Sequence, residues 1–173
     1  LATCAADEVA ACDAHRVGLL LAELAWRSGD PIGAIAIADR VLTTASPEVE
    51  SVFLRRLYRL RLQLGGEMAS PPPGLADDDS VDAWLIKALL ARAHGTEQDT
   101  ELAYQQALAR AEGTPAAVVA VATTYLPWLI QRGSFDQAAR MVEQFVPWTT
   151  HDYDAAALHM QWFAAIGDQP GWE

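Results

Sequence analysis

The sequence has almost no lysine and little positive charge of any kind. Lys87 is its only lysine, and 12 Lys and Arg stand against 23 Asp and Glu in a chain of 173 residues, which gives a formal charge of −11. A surface that binds nucleic acid needs clustered cations to meet the phosphate backbone. The charge balance therefore argues against a nucleic-acid partner for this segment.

Cysteine is equally scarce, and no apolar run is long enough to span a membrane. Cys4 and Cys12 are eight residues apart, which on a helix means about 12 Å along the axis and is too far for a disulfide. Small apolar residues in a reduced, cytoplasmic compartment are the simpler interpretation. The alternative is a periplasmic or lipid-anchored protein, because "LATC" faintly resembles a lipobox, although Thr3 fits that motif poorly.

The two ends of the sequence suggest a piece of something larger. The chain begins at Leu1 without a Met and stops at "AAIGDQPGWE", where another helix would begin. We therefore expect a fragment of a larger protein, or a processed form.

Strand patterns are also missing, and helical periodicity dominates the chain. Segment 15–29 carries apolar residues at 17, 19, 20, 21, 24 and 25, a broad stripe that predicts a helix packed on more than one side. Asp30 can cap the next helix and Pro31 suits its first turn, so that helix runs to about Thr44. The expected fold is all-α. Further helices are predicted near 48–64, 80–94, 99–112, 115–132, 134–146 and 152–166.

Glycines that end the predicted helices recur at a nearly regular interval. Their separations are 36, 30, 38 and 34 residues, with a mean of 34.5. The glycines are Gly29, Gly65, Gly95, Gly133 and Gly167. Small residues recur four apart on the second helix of several units, where two helices must approach closely. These pairs are Ala34 and Ala38, Ala103 and Ala107, and Ala138 with Val142.

This interval resembles the tetratricopeptide-repeat-like (TPR-like) class of helical repeats, whose unit is a pair of antiparallel helices of about 34 residues. Trp84, eleven residues before Gly95, stands where the family favours an aromatic residue on the first helix. The resemblance covers nearly the whole chain. It implies one domain, 1–173, wound as a right-handed superhelix (an α-solenoid) of four to five degenerate repeats. Gly18 and Ala122 depart from the family's aromatic position.

Segment 65–80 departs most from the repeat. Its three consecutive prolines, 71–73, favour extended chain where the second repeat needs its second helix. We expect a missing or rudimentary helix there, bridged by an extended segment that crosses a helical layer. A boundary between two domains at this point is the alternative.

Enzyme signatures are missing: there is no Gly-rich phosphate loop, HExxH, CxxC pair or GxSxG elbow. His151, Asp152, Asp154 and His159 form the only local group that resembles a metal site, but its two histidines are two helical turns apart. An Asp-rich helix N-terminus, which complements the helix dipole, is the simpler interpretation. We expect no catalysis, no metal and no cofactor.

Four of the basic residues fall within one predicted helix, 48–64. Arg55 and Arg59 are four apart and share one face of it. The resemblance implies that first helices line a concave groove, in which these two arginines would hold carboxylates of an extended peptide, a role that suits the guanidinium fork. The alternative is that they pair with acidic neighbours in the fold.

Segment 114–133 is apolar on every side. It predicts either a central core helix or the wall of an apolar groove, with a kink near Pro127. Tyr125 and Trp128 flank that proline and, with Trp84, are candidate aromatic contacts for a partner. Further aromatic residues near the C-terminus would form a surface for homo-oligomerisation if exposed. They are Trp148, Trp162, Phe163 and Trp172.

Two functional hypotheses follow. The first is a non-catalytic scaffold that binds a peptide or partner protein in the concave groove, through Arg55, Arg59, Trp84, Tyr125 and Trp128. The second is the sensor domain of a bacterial transcriptional regulator or kinase, with a small effector beside Tyr125 and Trp128. The Ala-rich, Lys-poor composition is that of a high-GC bacterial gene, which suits either hypothesis.

Overall fold

A computed structural model describes residues 6–45, 52–66 and 71–167. In these ranges every regular element is helical and no β-strand occurs, so the all-α prediction is confirmed. Most predicted helix ends agree with the structure to within a few residues, whereas α1 begins well before segment 15–29. The helices are α1 (Ala6–Arg27), α2 (Pro31–Thr44), α3 (Val52–Gln63), α4 (Val81–His94), α5 (Glu97–Ala111), α6 (Pro115–Gln131), α7 (Phe135–Phe145) and α8 (Tyr153–Gly167), with a 3-10 turn at Val146–Trp148.

The chain forms two compact units, Leu1–Ala103 and Tyr104–Glu173, and the boundary between them lies within α5. In the first unit α1 packs against α2 and α3, α2 packs against α3, and α3 packs against α4. In the second unit α6 packs against α7 and α8, and α7 also contacts α8. The Pro-rich segment 65–80 lies within the first unit, so the two units do not part there.

The helix pairs α1–α2 and α6–α7 are joined by the same turn. Gly29 and Gly133 have φ values of 85° and 70°, in the left-handed region that only glycine adopts without strain. The residue after each glycine donates its N–H to a carbonyl five residues back, which makes a Schellman C-cap. The segments "RSGD" and "RGS" thus form the same turn between two helices. The bonded pairs are Asp30 to Ala25 and Ser134 to Leu129, both at 2.9 Å.

The second helices begin and pack as the small-residue pattern predicts. Asp30 caps α2, since its Oδ1 accepts the Gly33 N–H at 2.8 Å, and Pro31 is the first residue of that helix. The predicted contact residues of α2, α5 and α7 are all buried, which leaves room for close helix approach. They are Ala34, Ala38, Ala103, Ala107, Ala138 and Val142.

Gly18 of α1 lies directly against Val41 of α2. A Cβ on residue 18 would lie 2.5 Å from Val41 Cγ2, well inside van der Waals contact. Valine has little freedom to turn away, because a helix allows it essentially one χ1 rotamer. The small residue that departs from the TPR-like aromatic pattern is therefore required by packing.

We expect Gly18→Ala to lower the free energy of unfolding by about 1–2 kcal/mol, because overpacking outweighs the helix propensity gained. In a Val41→Ala background the clash disappears, and the same substitution should stabilise the protein by a few tenths to about 1 kcal/mol. Urea denaturation of the four proteins measures both effects. A stabilising Gly18→Ala in the presence of Val41 would show that the helices are not in close contact here.

The connection between α3 and α4 is described at 64–66 and at 71–80, and residues 67–70 of the predicted segment 65–80 lie outside the described residues. The part at 71–80 forms turns. No helix forms there, as predicted, but the chain is not the extended crossing that three prolines suggested. Leu75 N–H donates to Pro72 O at 3.2 Å, and Asp78 N–H donates to Gly74 O at 3.2 Å. Leu75 is buried with Ala83 and Ile86 of α4. Burying that side chain favours a compact turn over extended chain.

Candidate functional site

The arginines of α3 pair with acids on the neighbouring elements. Arg59 Nη1 lies 2.7 Å from Asp82 Oδ1, and Arg55 Nε lies 3.1 Å from Asp78 Oδ2. The four side chains are only 11 % to 24 % exposed. Arg56 lies 3.6 Å from the other oxygen of Asp82 and is more exposed. Capture of a peptide carboxylate by Arg55 and Arg59 would require them to leave or share these partners.

The turn before α4 is held in place by the interactions of Asp78 with the positive charges of Arg55 and Lys87. Burial acts to raise the pKa of Asp78, but hydrogen bonds from Ser80 and the positive charges of Arg55 and Lys87 outweigh it, so this pKa lies below its usual value. Lys87 Nζ also donates to the Asp78 carbonyl at 3.0 Å. Asp78 is therefore ionised throughout the neutral range and links α3 to the turn.

Trp84 belongs to this arrangement as well. Its Nε1–H donates to Asp79 Oδ1 at 2.8 Å, and Lys87 Nζ lies 4.2 Å from the centroid of its ring. The indole is half-buried. Trp84 thus contacts the turn that precedes its own helix.

Tyr125 and Trp128 pack into the interior of the second unit. The Tyr125 ring stacks on Tyr104 of α5, with centroids 4.6 Å apart, and Trp128 lies 5.8 Å from Tyr104 and 5.9 Å from Tyr125. All three side chains are buried. The α6 helix continues through Pro127, and Tyr104 Oη donates to the Thr124 carbonyl at 3.4 Å. This geometry is that of a core helix, the first of the two interpretations of segment 114–133.

A different surface in the first unit is exposed and apolar. We name it the α1 outer face: Val17, Leu20, Leu21 and Leu24, which are 51 %, 58 %, 50 % and 65 % exposed. Their spacing places them on one side of the helix, one above the other. The opposite side of α1 buries Leu19 and Ala22 in the core of this unit. Both sides of α1 are therefore apolar. Among the residues that the structure describes, only the side with Leu19 and Ala22 is packed in a core.

An open groove runs beside the α1 outer face, between α1 and α2. Its volume is about 450 Å³. Among the described residues, Asp13 and Arg40 are the only charged ones that line it. The remaining lining is apolar and consists of Ala14, Val17, Gly18, Leu21, Ile37 and Val41. The close approach at Gly18 gives this groove an apolar floor next to the exposed leucines.

A second cleft, of about 560 Å³, lies within the second unit. Trp148 and Glu112 are its most distinctive lining residues, together with the amide side chains of Gln105 and Gln144. Neither Tyr125 nor Trp128 lines this cleft or the groove beside α1.

The aromatic residues near the C-terminus are divided between core and surface. Trp162 is buried against Phe135, with ring centroids 6.4 Å apart, and Trp148 is half-buried. Phe163 is exposed and lies against His159. Trp172 lies outside the described residues. Homo-oligomerisation through this surface stays a prediction, now with fewer aromatic side chains to support it.

The acidic N-terminus of α8 has a structural role. Asp152 Oδ1 accepts the Ala155 N–H at 3.0 Å, as expected for a helix cap. In the described part of the chain, no group of three His, Cys, Asp or Glu could hold a metal ion. Nor is any helix in those ranges long and apolar enough to cross a membrane.

Sequence reasoning missed the α1 outer face because it assigned the whole stripe of α1 to packing. The width of the apolar stripe could have revealed this face. A helix that packs on one side needs an apolar sector of about 100°, whereas the apolar residues between 17 and 25 cover a wider sector of the helix surface. The exposed apolar surface of α1 is therefore the candidate site. Comparison with known proteins gives no match to any protein-family model, curated protein or solved structure.

Proposed function

We propose that this chain is a non-catalytic protein-interaction module, and that it binds through the α1 outer face and the adjoining groove. The observation that supports this most is the exposure of four large aliphatic side chains on one side of a helix whose other side is packed. Contiguous exposed apolar surface of this kind marks interaction sites in soluble proteins. An amphipathic partner helix fits it, because its own apolar residues recur at the same spacing.

Covering the α1 outer face supplies part of the free energy that specific binding needs. Each of the four side chains still exposes half or more of its area, and covering an aliphatic side chain contributes roughly 1 kcal/mol or more at about 25 cal/mol per Å². The sum must offset the lost freedom of the two partners, so affinity depends on how well a partner also fills the groove.

Arg55 and Arg59, which the TPR-like resemblance places in a concave groove, support binding less well. Arg55 and Arg59 already hold Asp78 and Asp82 in partly buried pairs, and Tyr125 and Trp128 hold each other in a core. Any contribution from Arg55, Arg59, Trp84, Tyr125 or Trp128 to a partner is therefore secondary in this proposal.

We further propose that the helices follow a TPR-like order. The shared turn of α1–α2 and α6–α7 and the buried small residues of their second helices support a repeated hairpin. In such repeats each hairpin buries its apolar face against a neighbour, which gives the exposed side of α1 a natural role as a docking surface.

The test is binding to a library of synthetic amphipathic helices that carry leucine at i, i+3, i+4 and i+7. We expect fluorescence polarisation to find micromolar binders for the wild-type chain, and Leu21→Glu to weaken them at least about tenfold by placing a charge in the apolar contact. Met160→Glu is the matched control, since Met160 is 74 % exposed on α8 and should leave binding unchanged.

Two outcomes would contradict the proposal. One is the absence of any helical binder above the level of a scrambled peptide. The other is a binder whose affinity survives Leu21→Glu while circular dichroism shows that the variant is folded.

A small-effector sensor is the second candidate, and one observation favours it. The 560 Å³ cleft of the second unit is large enough for a small molecule and contains an indole, two amides and a carboxylate. This moves the effector site away from Tyr125 and Trp128. The proposal ranks lower because the α1 outer face presents four large exposed aliphatic side chains on one side of a helix.

A further inference from the structure

We propose that the partner of the α1 outer face is the same face on a second copy of this chain. The two α1 helices would lie antiparallel, with a twofold axis between Leu20 and Leu21. This inference rests on the proposed function, because it names the partner of that surface.

The apolar residues fit this arrangement. An antiparallel pair about that axis sets Leu20 against Leu21 of the second copy, and Val17 against Leu24 of the second copy. Interfaces of this kind are isologous, so each contact occurs twice. The exposed half of all four side chains would be covered in one step.

The charges of α1 select the antiparallel order. Arg16, Glu23 and Arg27 lie along one edge of the apolar stripe, and Asp13 lies at the N-terminal end of the stripe, about one turn before Val17, since a helix turns by about 100° per residue. Their signs alternate from the N-terminal to the C-terminal end. Antiparallel helices bring Asp13 next to Arg27 of the second copy and Arg16 next to Glu23 of the second copy, whereas in a parallel pair the charged edges of the two helices lie on opposite sides of the contact and cannot pair.

These charged side chains are exposed, so they can contact a second copy. Asp13 and Arg16 are 63 % and 57 % exposed and lie 3.5 Å apart within one chain, and Arg27 is exposed at the end of α1. In the pair, Asp13 would lie between its own Arg16 and Arg27 of the second copy. On the other edge, Ile37 and Val41 of α2 extend the apolar surface, and Arg40 of α2 adds one positive charge there.

Sedimentation equilibrium of the whole chain over a wide concentration range, in reductant and at low salt, tests the pairing. We expect a monomer–dimer equilibrium, and Leu20→Glu to shift it to monomer because two glutamates would meet at the axis. Met160→Glu, which adds the same charge to the exposed face of α8, should leave the equilibrium constant unchanged.

A charge exchange tests the orientation. Asp13→Arg and Arg27→Asp should each weaken the dimer by about fivefold to tenfold, because each sets like charges together across the axis. The double variant should restore the dissociation constant to within about threefold of wild type, since the pair is re-formed with reversed signs. Thermal unfolding at a concentration where the protein is monomeric separates these effects from changes within one chain.

A chain that stays monomeric at every concentration overturns the inference. It leaves the proposed function standing if the amphipathic peptides still bind and Leu21→Glu still abolishes that binding. A dimer that survives Leu20→Glu and is lost in Met160→Glu also overturns it, because the contact would then lie on α8. A double charge variant as weak as the single ones overturns the antiparallel geometry.

Discussion

Tyr104→Ala is expected to lower the free energy of unfolding by about 3–5 kcal/mol, the typical loss for truncating a large buried aromatic side chain. Tyr104 has no exposed surface, and its ring contacts both Tyr125 and Trp128. Alanine would leave a cavity between α5 and α6 and remove both ring contacts, each of which adds about 0.5–1.5 kcal/mol beyond burial. Chemical denaturation monitored by tryptophan fluorescence and by circular dichroism measures the loss.

Two further tyrosine variants make this result specific. Tyr104→Phe keeps the ring and removes the hydroxyl, with its 3.4 Å hydrogen bond to the Thr124 carbonyl, so about 1 kcal/mol should be lost. Tyr153→Ala truncates a tyrosine that is 82 % exposed, and its effect should lie within about 0.5 kcal/mol of zero. If Tyr104→Ala were as harmless as Tyr153→Ala, the aromatic cluster would be a loosely packed pocket, as the effector hypothesis requires.

Asp82→Ala is expected to lower the free energy of unfolding by about 2–4 kcal/mol, because it leaves Arg59 with its charge largely out of water and without its carboxylate. The Asp82 side chain is only 14 % exposed and accepts a 2.7 Å bond from Arg59. It also lies in the first turn of α4, where a negative charge is favourable. Equilibrium urea unfolding gives the loss directly.

The matched control is Asp136→Ala, which removes an exposed acid from the first turn of α7. That variant should lose only the dipole contribution, about 0.3–1 kcal/mol. In the Arg59→Met background Asp82→Ala should cost less than in wild type, and the difference is the coupling between the two residues. Zero coupling would mean that Arg59 is not held by Asp82 and is available to a ligand, as the groove hypothesis supposes.

Most of the helical structure could be predicted because its signals are local. Asp30 and Pro31 identify the start of α2, and Gly29 and Gly133 identify helix ends through a backbone conformation that glycine adopts most readily. The turn at 71–80 could not be predicted in the same way. Its shape depends on burial of Leu75 against α4, a contact between segments that three prolines alone do not reveal.

The candidate site was harder to predict, because sequence shows which residues share a face but not what covers it. Arg55 and Arg59 do share a face, yet Asp78 and Asp82 meet them from more than twenty residues away in the chain. The α1 stripe was read correctly as wide, but exposure of Val17, Leu20, Leu21 and Leu24 depends on where α2 and α3 pack. Whether a side chain is exposed or paired therefore depends on segments that are distant in the sequence.

Methyl NMR spectra of the chain, recorded from low micromolar to millimolar concentration and with a selected amphipathic peptide, test the interaction surface most directly. We expect shifts and broadening of the methyl groups of Val17, Leu20, Leu21 and Leu24, with smaller changes at Ile37 and Val41 of the groove. Perturbations confined to methyls beside the α3 arginines, such as Leu57 and Leu60, or beside Tyr125 and Trp128, with the α1 outer face unchanged, would contradict the proposed function.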